Sequence, residues 1–280
     1  MKKIITNELI DAYSRHLILE EKSKLTIEKY LRDIKAFKMF INEEEVAKES
    51  VIEYKRKLIT DNYALRSINS MLASLNSFFD FTGWIDCKVK SIKIQQEIFC
   101  SEEKEISKLE YERLTIAAKK KHNERLALLI QTICGTGIRV SELKYITVEA
   151  VKNGFAQVNC KGKNRRIFIV KELRKKLLSY AKSKGILEGS VFVTRRGKPM
   201  DRSNIWREMK KLCEEAKVSS KKVFPHNLRH LFARTFYKIE KDIAKLADIL
   251  GHSSINTTRI YIVSTGMEHR RKMENMRLIV

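Results

Sequence analysis

The sequence predicts a mainly α protein with a small β-sheet: an N-terminal helical bundle followed by a mixed α/β part. Three observations carry this. The first 82 residues contain neither glycine nor proline, the residues that most often interrupt helices. Apolar residues in that stretch recur at three- and four-residue spacing. After Tyr145 the period changes, and two β-prone runs flank a glycine-containing turn.

The elements follow in order. Ile27, Tyr30, Leu31, Ile34, Phe37 and Ile41 mark one amphipathic helix, and Leu65, Ile68, Leu72, Leu75 and Phe79 mark another. Composition adds helices over Asn7–Leu19 and Lys48–Ile59. Residues 1–86 read as a bundle with short connections. Residues 87–102 lose the helical period and read as a linker, leaving 103–280 as a second domain with a tail over 262–280. In that domain, Ser107–Ala118 and Glu124–Cys134 read as helices. Gly135-Thr136-Gly137 interrupts, and a helix resumes over Val140–Tyr145. Residues 155–160 and 165–170 flank Lys161-Gly162-Lys163-Asn164 as a hairpin with a four-residue loop. Helices then follow over Lys171–Lys184, Asn204–Lys217, Pro225–Tyr237, Asp242–Leu250 and Ile255–Tyr261. Pro225 suits a helix start, where its missing N–H would be unpaired anyway.

Charge narrows the function. The chain carries a net +23, of which residues 1–100 hold +2 and residues 101–280 hold +21. So uneven a basic excess points to a polyanionic partner for the second domain. The five cysteines are scattered, with no CxxC pair, which argues against a zinc site or disulfide framework and fits a reducing cytoplasm. No stretch approaches the ~18 uninterrupted apolar residues of a membrane span, and the N-terminus has no apolar signal region.

Four short blocks carry chemistry-bearing side chains. They are Gly135-Thr136-Gly137-Ile138-Arg139-Val140-Ser141-Glu142-Leu143, the hairpin loop with Lys161, His226-Asn227-Leu228-Arg229-His230, and Leu250-Gly251-His252 with Tyr261 nine positions after His252. Each block alone is weak, since an isolated Arg, Lys or Tyr is usually a surface or packing residue. Together, and in this order, the chain resembles the tyrosine recombinase (phage integrase) family. Arg139 matches its first arginine in a G-x-R-x-x-E-L context, Lys161 the hairpin lysine, and His226 and Arg229 the His-x-x-Arg pair. His252 matches the histidine of the L-G-H motif, and Tyr261 the nucleophile. Thr26, Tyr30, Asp33, Ile34 and Phe37 resemble the opening helix of the family's SAM-like core-binding domain, so the resemblance spans nearly the whole chain.

The resemblance implies cleavage and rejoining of duplex DNA at specific sites through a 3′-phosphotyrosyl link, without metal or ATP. The residue types suit that chemistry. Phosphoryl transfer needs positioning and cationic stabilisation of developing charge. Arg139 and Arg229 would supply rigid forks of donors. His226, one helical turn before Arg229, would accept the tyrosine proton or hold the phosphate, and His252 would donate to a non-bridging oxygen. A free tyrosine is only ~0.1% ionised at pH 7, so Tyr261 needs a base and a cationic site. Lys161 would protonate the leaving 5′-oxygen, with Lys163 as runner-up. His226 and His230 have i,i+4 spacing, but no glutamate lies between them as in a zinc-protease motif, and the intervening Arg229 would repel a metal. His230 reads instead as a buried, hydrogen-bonded support, and Glu142 as either an arginine-orienting carboxylate or a solvated one.

The resemblance further implies a tetramer on two DNA sites, a homotetramer or a heterotetramer with a paralogue, whose tail docks on a neighbouring protomer; the other reading is a tail packed on its own domain. A short helix over Met267–Met276 would provide that tail's apolar contacts. The length fits a Xer-like or simple mobile-element recombinase, cytoplasmic and nucleoid-associated when bound to DNA. Two other readings stay open: a DNA-binding protein without catalysis, and type IB topoisomerase-like relaxation.

Overall fold

Helix boundaries follow from side chains that satisfy free backbone N–H groups. Thr6 Oγ1 accepts the Leu9 N–H at 3.2 Å and opens α1 (Asn7–Leu19). Ser23 does the same through Thr26 for α2 (Lys24–Ile41). Then come α3 (Lys48–Thr60) and α4 (Leu65–Thr82). The structure, a computed structural model, describes residues 2–42, 44–94, 105–160, 163–262 and 273–276, without the side chains of Cys160, Lys163 and Ile262.

The chain forms two compact units, Met1–Gln96 and Glu97–Val280. In the first, Tyr13, Ile34, Phe37, Leu72, Phe78 and Phe79 are fully buried between α1, α2, α3 and α4. The predicted stripe on α2 divides: Ile34, Phe37 and Ile41 enter the core, whereas Ile27, Tyr30 and Leu31 pack at its margin. Asp33 is also buried, and Ser74 Oγ and Lys29 Nζ meet its carboxylate at 2.9 and 2.7 Å. The start of the expected linker lies on this unit. Cys87 is buried, Asn76 brackets the Val89 backbone, and Asn69 brackets that of Ile92. Two amide side chains on one helix thereby satisfy the polar groups of an irregular strand, a pattern that apolar periodicity does not register.

In the second unit, Ser107 and Glu110 form a reciprocal cap for α5 (Lys108–Lys120), and Asn123 caps α6 (Glu124–Thr136). Helix α6 runs through Gly135 and closes at Gly137, whose φ of +65° is left-handed. A Cβ at Gly137 would run into the Phe232 ring, so glycine is required twice over. Residues Val140–Tyr145 form a 3-10 segment rather than the expected α-helix. A short α7 (Val148–Asn153), not expected from the sequence, leads into β1 (Phe155–Cys160) and β2 (Lys163–Phe168). These strands pair antiparallel with Asn159 opposite Asn164 and Cys160 opposite Lys163. Lys163 and Asn164, expected in the loop, thus belong to β2.

Helix α8 (Lys171–Ser183) follows, then α9 (Arg202–Lys210). The latter stops short of the expected Lys217. Leu212, Cys213 and Ala216 keep helical apolar spacing, but Leu212 and Cys213 donate to carbonyls only three residues back, so the backbone has tightened into turns. Pro225 opens α10 (Pro225–Glu240), followed by α11 (Ile243–Leu250) and α12 (Ile255–Ile262). Most of the helix expected over Met267–Met276 lies outside the described residues, which retain one helical turn at 273–276. Among the described residues, no helix is long and apolar enough to cross a membrane. Helix α10 packs against α6, α11 and α12, which gathers the chemistry-bearing blocks at one place.

Candidate active site

Arg229 is the centre of the site. It projects from α10 and is 1% exposed, so its charge must be compensated inside the protein. Nη1 donates to the Gly137 carbonyl, and Nη2 donates to the Leu250 carbonyl at 2.7 Å and to His252 Nε2 at 3.0 Å. Its acceptors are thus the carbonyl ends of α6 and α11, where helix dipoles favour a cation. Its Nε is buried without a hydrogen-bond partner among the described residues. Burial and the charge of Arg139 push the guanidinium down to about 10, against an opposing pull from Tyr261.

Arg139 stands at the start of the 3-10 segment. Its Nη1 donates to Glu142 Oε1 at 3.0 Å and its Nη2 to the Gly251 carbonyl at 3.0 Å. Glu142 is buried, and its other oxygen accepts from the Arg139 backbone N–H and from Arg165 Nη2 at 2.5 Å. Of the two readings of Glu142, the orienting one holds. Burial would raise this carboxyl, but the Arg139 N–H, the Arg165 charge and the Arg139 side chain together lower it below the usual range. Arg165 also donates to the Ile249 carbonyl at 2.7 Å. Gly251 has a φ of +63°, and a Cβ there would lie 2.6 Å from Arg165 Cδ.

Arg165 was missed in the sequence. The available signal was its phase on β2, shared with the buried Ile167 and Ile169, which turns an arginine toward the core. Thr258 was missed too. It is fully buried on α12, with Oγ1 2.8 Å from His252 Nδ1. Because arginine only donates, His252 Nε2 accepts from Arg229, so Nδ1 carries the hydrogen toward Thr258. His252 in this state accepts at Nε2 rather than donating there.

Tyr261, on α12, is 5% exposed and sits among three histidines. Its hydroxyl is 3.4 Å from His226 Nε2. The Tyr261 ring stacks on His252 at 5.3 Å between centroids and lies 4.3 Å from His230. Burial first, then the charges of Arg229 and Arg139, push the half-buried His252 down to about 4; His226 keeps an exposed edge, and local desolvation followed by the charges of His230, Arg229 and Arg139 lowers it to about 4 as well. Both are therefore neutral at pH 7, and in the tautomer with its hydrogen on Nδ1 His226 can accept the phenol hydrogen at Nε2. The structure brings together five of the six predicted side chains: Arg139, His226, Arg229, His252 and Tyr261. Lys161 lies outside the described residues, and Lys163 is placed only as the first residue of β2.

The described residues thus form a helical first unit and a second unit in which one hairpin accompanies a cluster of two arginines, histidines and a tyrosine. Residues 104–267 match the phage integrase family, and residues 10–84 match the phage integrase N-terminal SAM-like domain. The chain belongs to the phage integrase family of tyrosine recombinases and is a site-specific DNA recombinase of the Xer type. It is 30% identical to tyrosine recombinase XerA of Pyrococcus furiosus, over 99% of this chain and 97% of that protein. The crystal structure of a XerA recombinase matches it with a TM-score of 0.53 at 25% identity, covering 99% of this chain and 100% of that one. A lambda integrase tetramer bound to a Holliday junction shares the fold, with a TM-score of 0.74 at 17% identity over 93% of this chain and 77% of that one.

Proposed function

We propose that Tyr261 attacks a DNA phosphodiester and forms a 3′-phosphotyrosyl link. The Tyr261 hydroxyl, 3.4 Å from a neutral His226 Nε2, is the observation that carries this reading. As the Tyr261 oxygen–phosphorus bond forms, the phenol proton passes to His226 and the bond to the 5′-oxygen breaks. Arg139 and Arg229 hold the non-bridging oxygens. Glu142 and Arg165 keep Arg139 in place. His252 donates to the phosphate once it takes up a second proton. Lys161, assigned from the family pattern, protonates the departing 5′-oxygen. The link conserves the energy of the broken bond, so rejoining is the reverse reaction and no step passes through a metal or nucleotide.

In this reading the first unit grips duplex DNA and the second performs the exchange. Four copies assemble on two sites, either identical or mixed with a paralogue, with residues 262–280 as the exchanged tail. The resemblance in fold to a tetrameric junction complex supports that assembly. The substrate is chromosomal or mobile-element DNA in the cytoplasm.

The test uses a nicked duplex built on the sequence that the full chain enriches from a random duplex library. Wild type should trap covalently on it, and Tyr261→Phe should bind with similar affinity yet trap nothing. Undiminished trapping by Tyr261→Phe would overturn the assignment.

A further inference from the structure

Outside the six predicted residues, one buried carboxylate reaches toward the nucleophile. Glu105 is 7% exposed and lies just ahead of α5, within the second unit. Its Oε2 pairs with Arg234 Nη1, and its Oε1 lies 3.6 Å from His230 Nδ1. Arg234 Nη2 also donates to the Ile106 carbonyl at 2.7 Å, so the same segment is fixed twice. His226, His230 and Arg234 follow one another at four-residue spacing on one face of α10. Glu105 therefore docks onto the stripe that carries the histidine facing Tyr261.

His230 links the two ends. Its ring centroid lies 4.3 Å from that of Tyr261 and 4.7 Å from that of His226. Nothing in the proposed chemistry uses it. Its Nδ1 makes no hydrogen bond among the described residues, and the Glu105 carboxylate is the anion it faces. Packing against Tyr261 and His226 restrains the ring, and the fixed carboxylate 3.6 Å from Nδ1 favours one of its orientations.

We infer that Glu105 is a positioning residue for strand cleavage: clamped by Arg234, it holds His230 against the Tyr261 ring and so sets the attitude of the nucleophile. The inference rests on Tyr261 being that nucleophile.

The experiment is a double-mutant cycle over Glu105→Gln and His230→Phe, with wild type and Tyr261→Phe alongside. It reads the first-order rate of covalent trapping on the nicked duplex at saturating DNA, the dissociation constant for the intact duplex, and the melting temperature. Glu105→Gln should slow trapping by roughly ten- to a hundredfold, with duplex affinity changed by less than about twofold. In the His230→Phe background, Glu105→Gln should cost nothing further. Should Glu105→Gln not melt cooperatively, Glu105→Asp, which keeps the charge and withdraws it, is read in the same cycle. Wild-type trapping rates in both Glu105 variants, or an equal loss with and without His230, would overturn the inference. Tyr261→Phe separates this from the reading beneath it: if that variant traps like wild type, the nucleophile assignment fails first.

Discussion

The two units bury their polar groups for different ends. In the first, Asp33 is matched by Ser74 and Lys29 inside an aromatic core, and the cluster closes on itself. In the second, Arg229 is equally buried, yet its Nε has no hydrogen-bond partner among the described residues, and the apolar cluster around Tyr261 is small: Ala233, Leu246 and Leu250, with Phe232, Phe236 and Tyr237 at its edge. A satisfied polar group in a large core serves cohesion. A cation held by carbonyls, with neutral histidines beside it, is poised for an anion that the protein itself does not supply.

The largest effect should come from breaking the second arrangement. Arg229→Lys keeps the charge but loses the fork, so trapping on the nicked duplex should fall by roughly a hundredfold or more, with duplex binding largely retained. Wild-type trapping in this variant would remove Arg229 from the reaction. Phe37→Ala attacks the first arrangement instead. It should cost about 3–5 kcal/mol in the denaturant unfolding of the first unit. Its trapping rate at saturating DNA, read below the transition, should stay near wild type. Asp33→Ala leaves Lys29 and Ser74 without their shared acceptor and should cost about 1–3 kcal/mol by the same measurement.

The smallest effect distinguishes the units by pH. His226 and His252 take up protons near 6.5 in the unfolded chain but only near 4 when folded. The unfolded state therefore binds more protons between those values, and stability should fall as pH drops from about 6.5 toward about 4. The fall should begin above 4.5, before carboxylates such as Glu142 protonate. Denaturation midpoints for the second unit should show this slope, and His226→Gln should flatten it. An unchanged slope in that variant would place the proton uptake elsewhere.

Much of this architecture was legible in the sequence, for identifiable reasons. Helix α1 begins and ends where composition put it, and Pro225 opens α10, because caps, prolines and amphipathic stripes are local signals. The same stripes misled at Lys217: buried spacing persists where the backbone tightens, and periodicity reads only burial. Five of the six predicted side chains converge, since motif order had tied distant blocks together. Arg165, Thr258 and Glu105 were not found. Their roles arise from partners far along the chain: Ile249 for Arg165, and Arg234 for Glu105. Only Arg165 left a trace, through strand alternation.

The central claim concerns which atom joins the DNA. Wild-type protein trapped on the nicked duplex can be digested with protease and nuclease, and the nucleotide-bearing peptide sequenced by mass spectrometry. The account predicts a single modified residue, Tyr261, carrying a 3′-linked nucleotide. A nucleotide on any other residue, or a trapped complex whose Tyr261 peptide is unmodified, would contradict it.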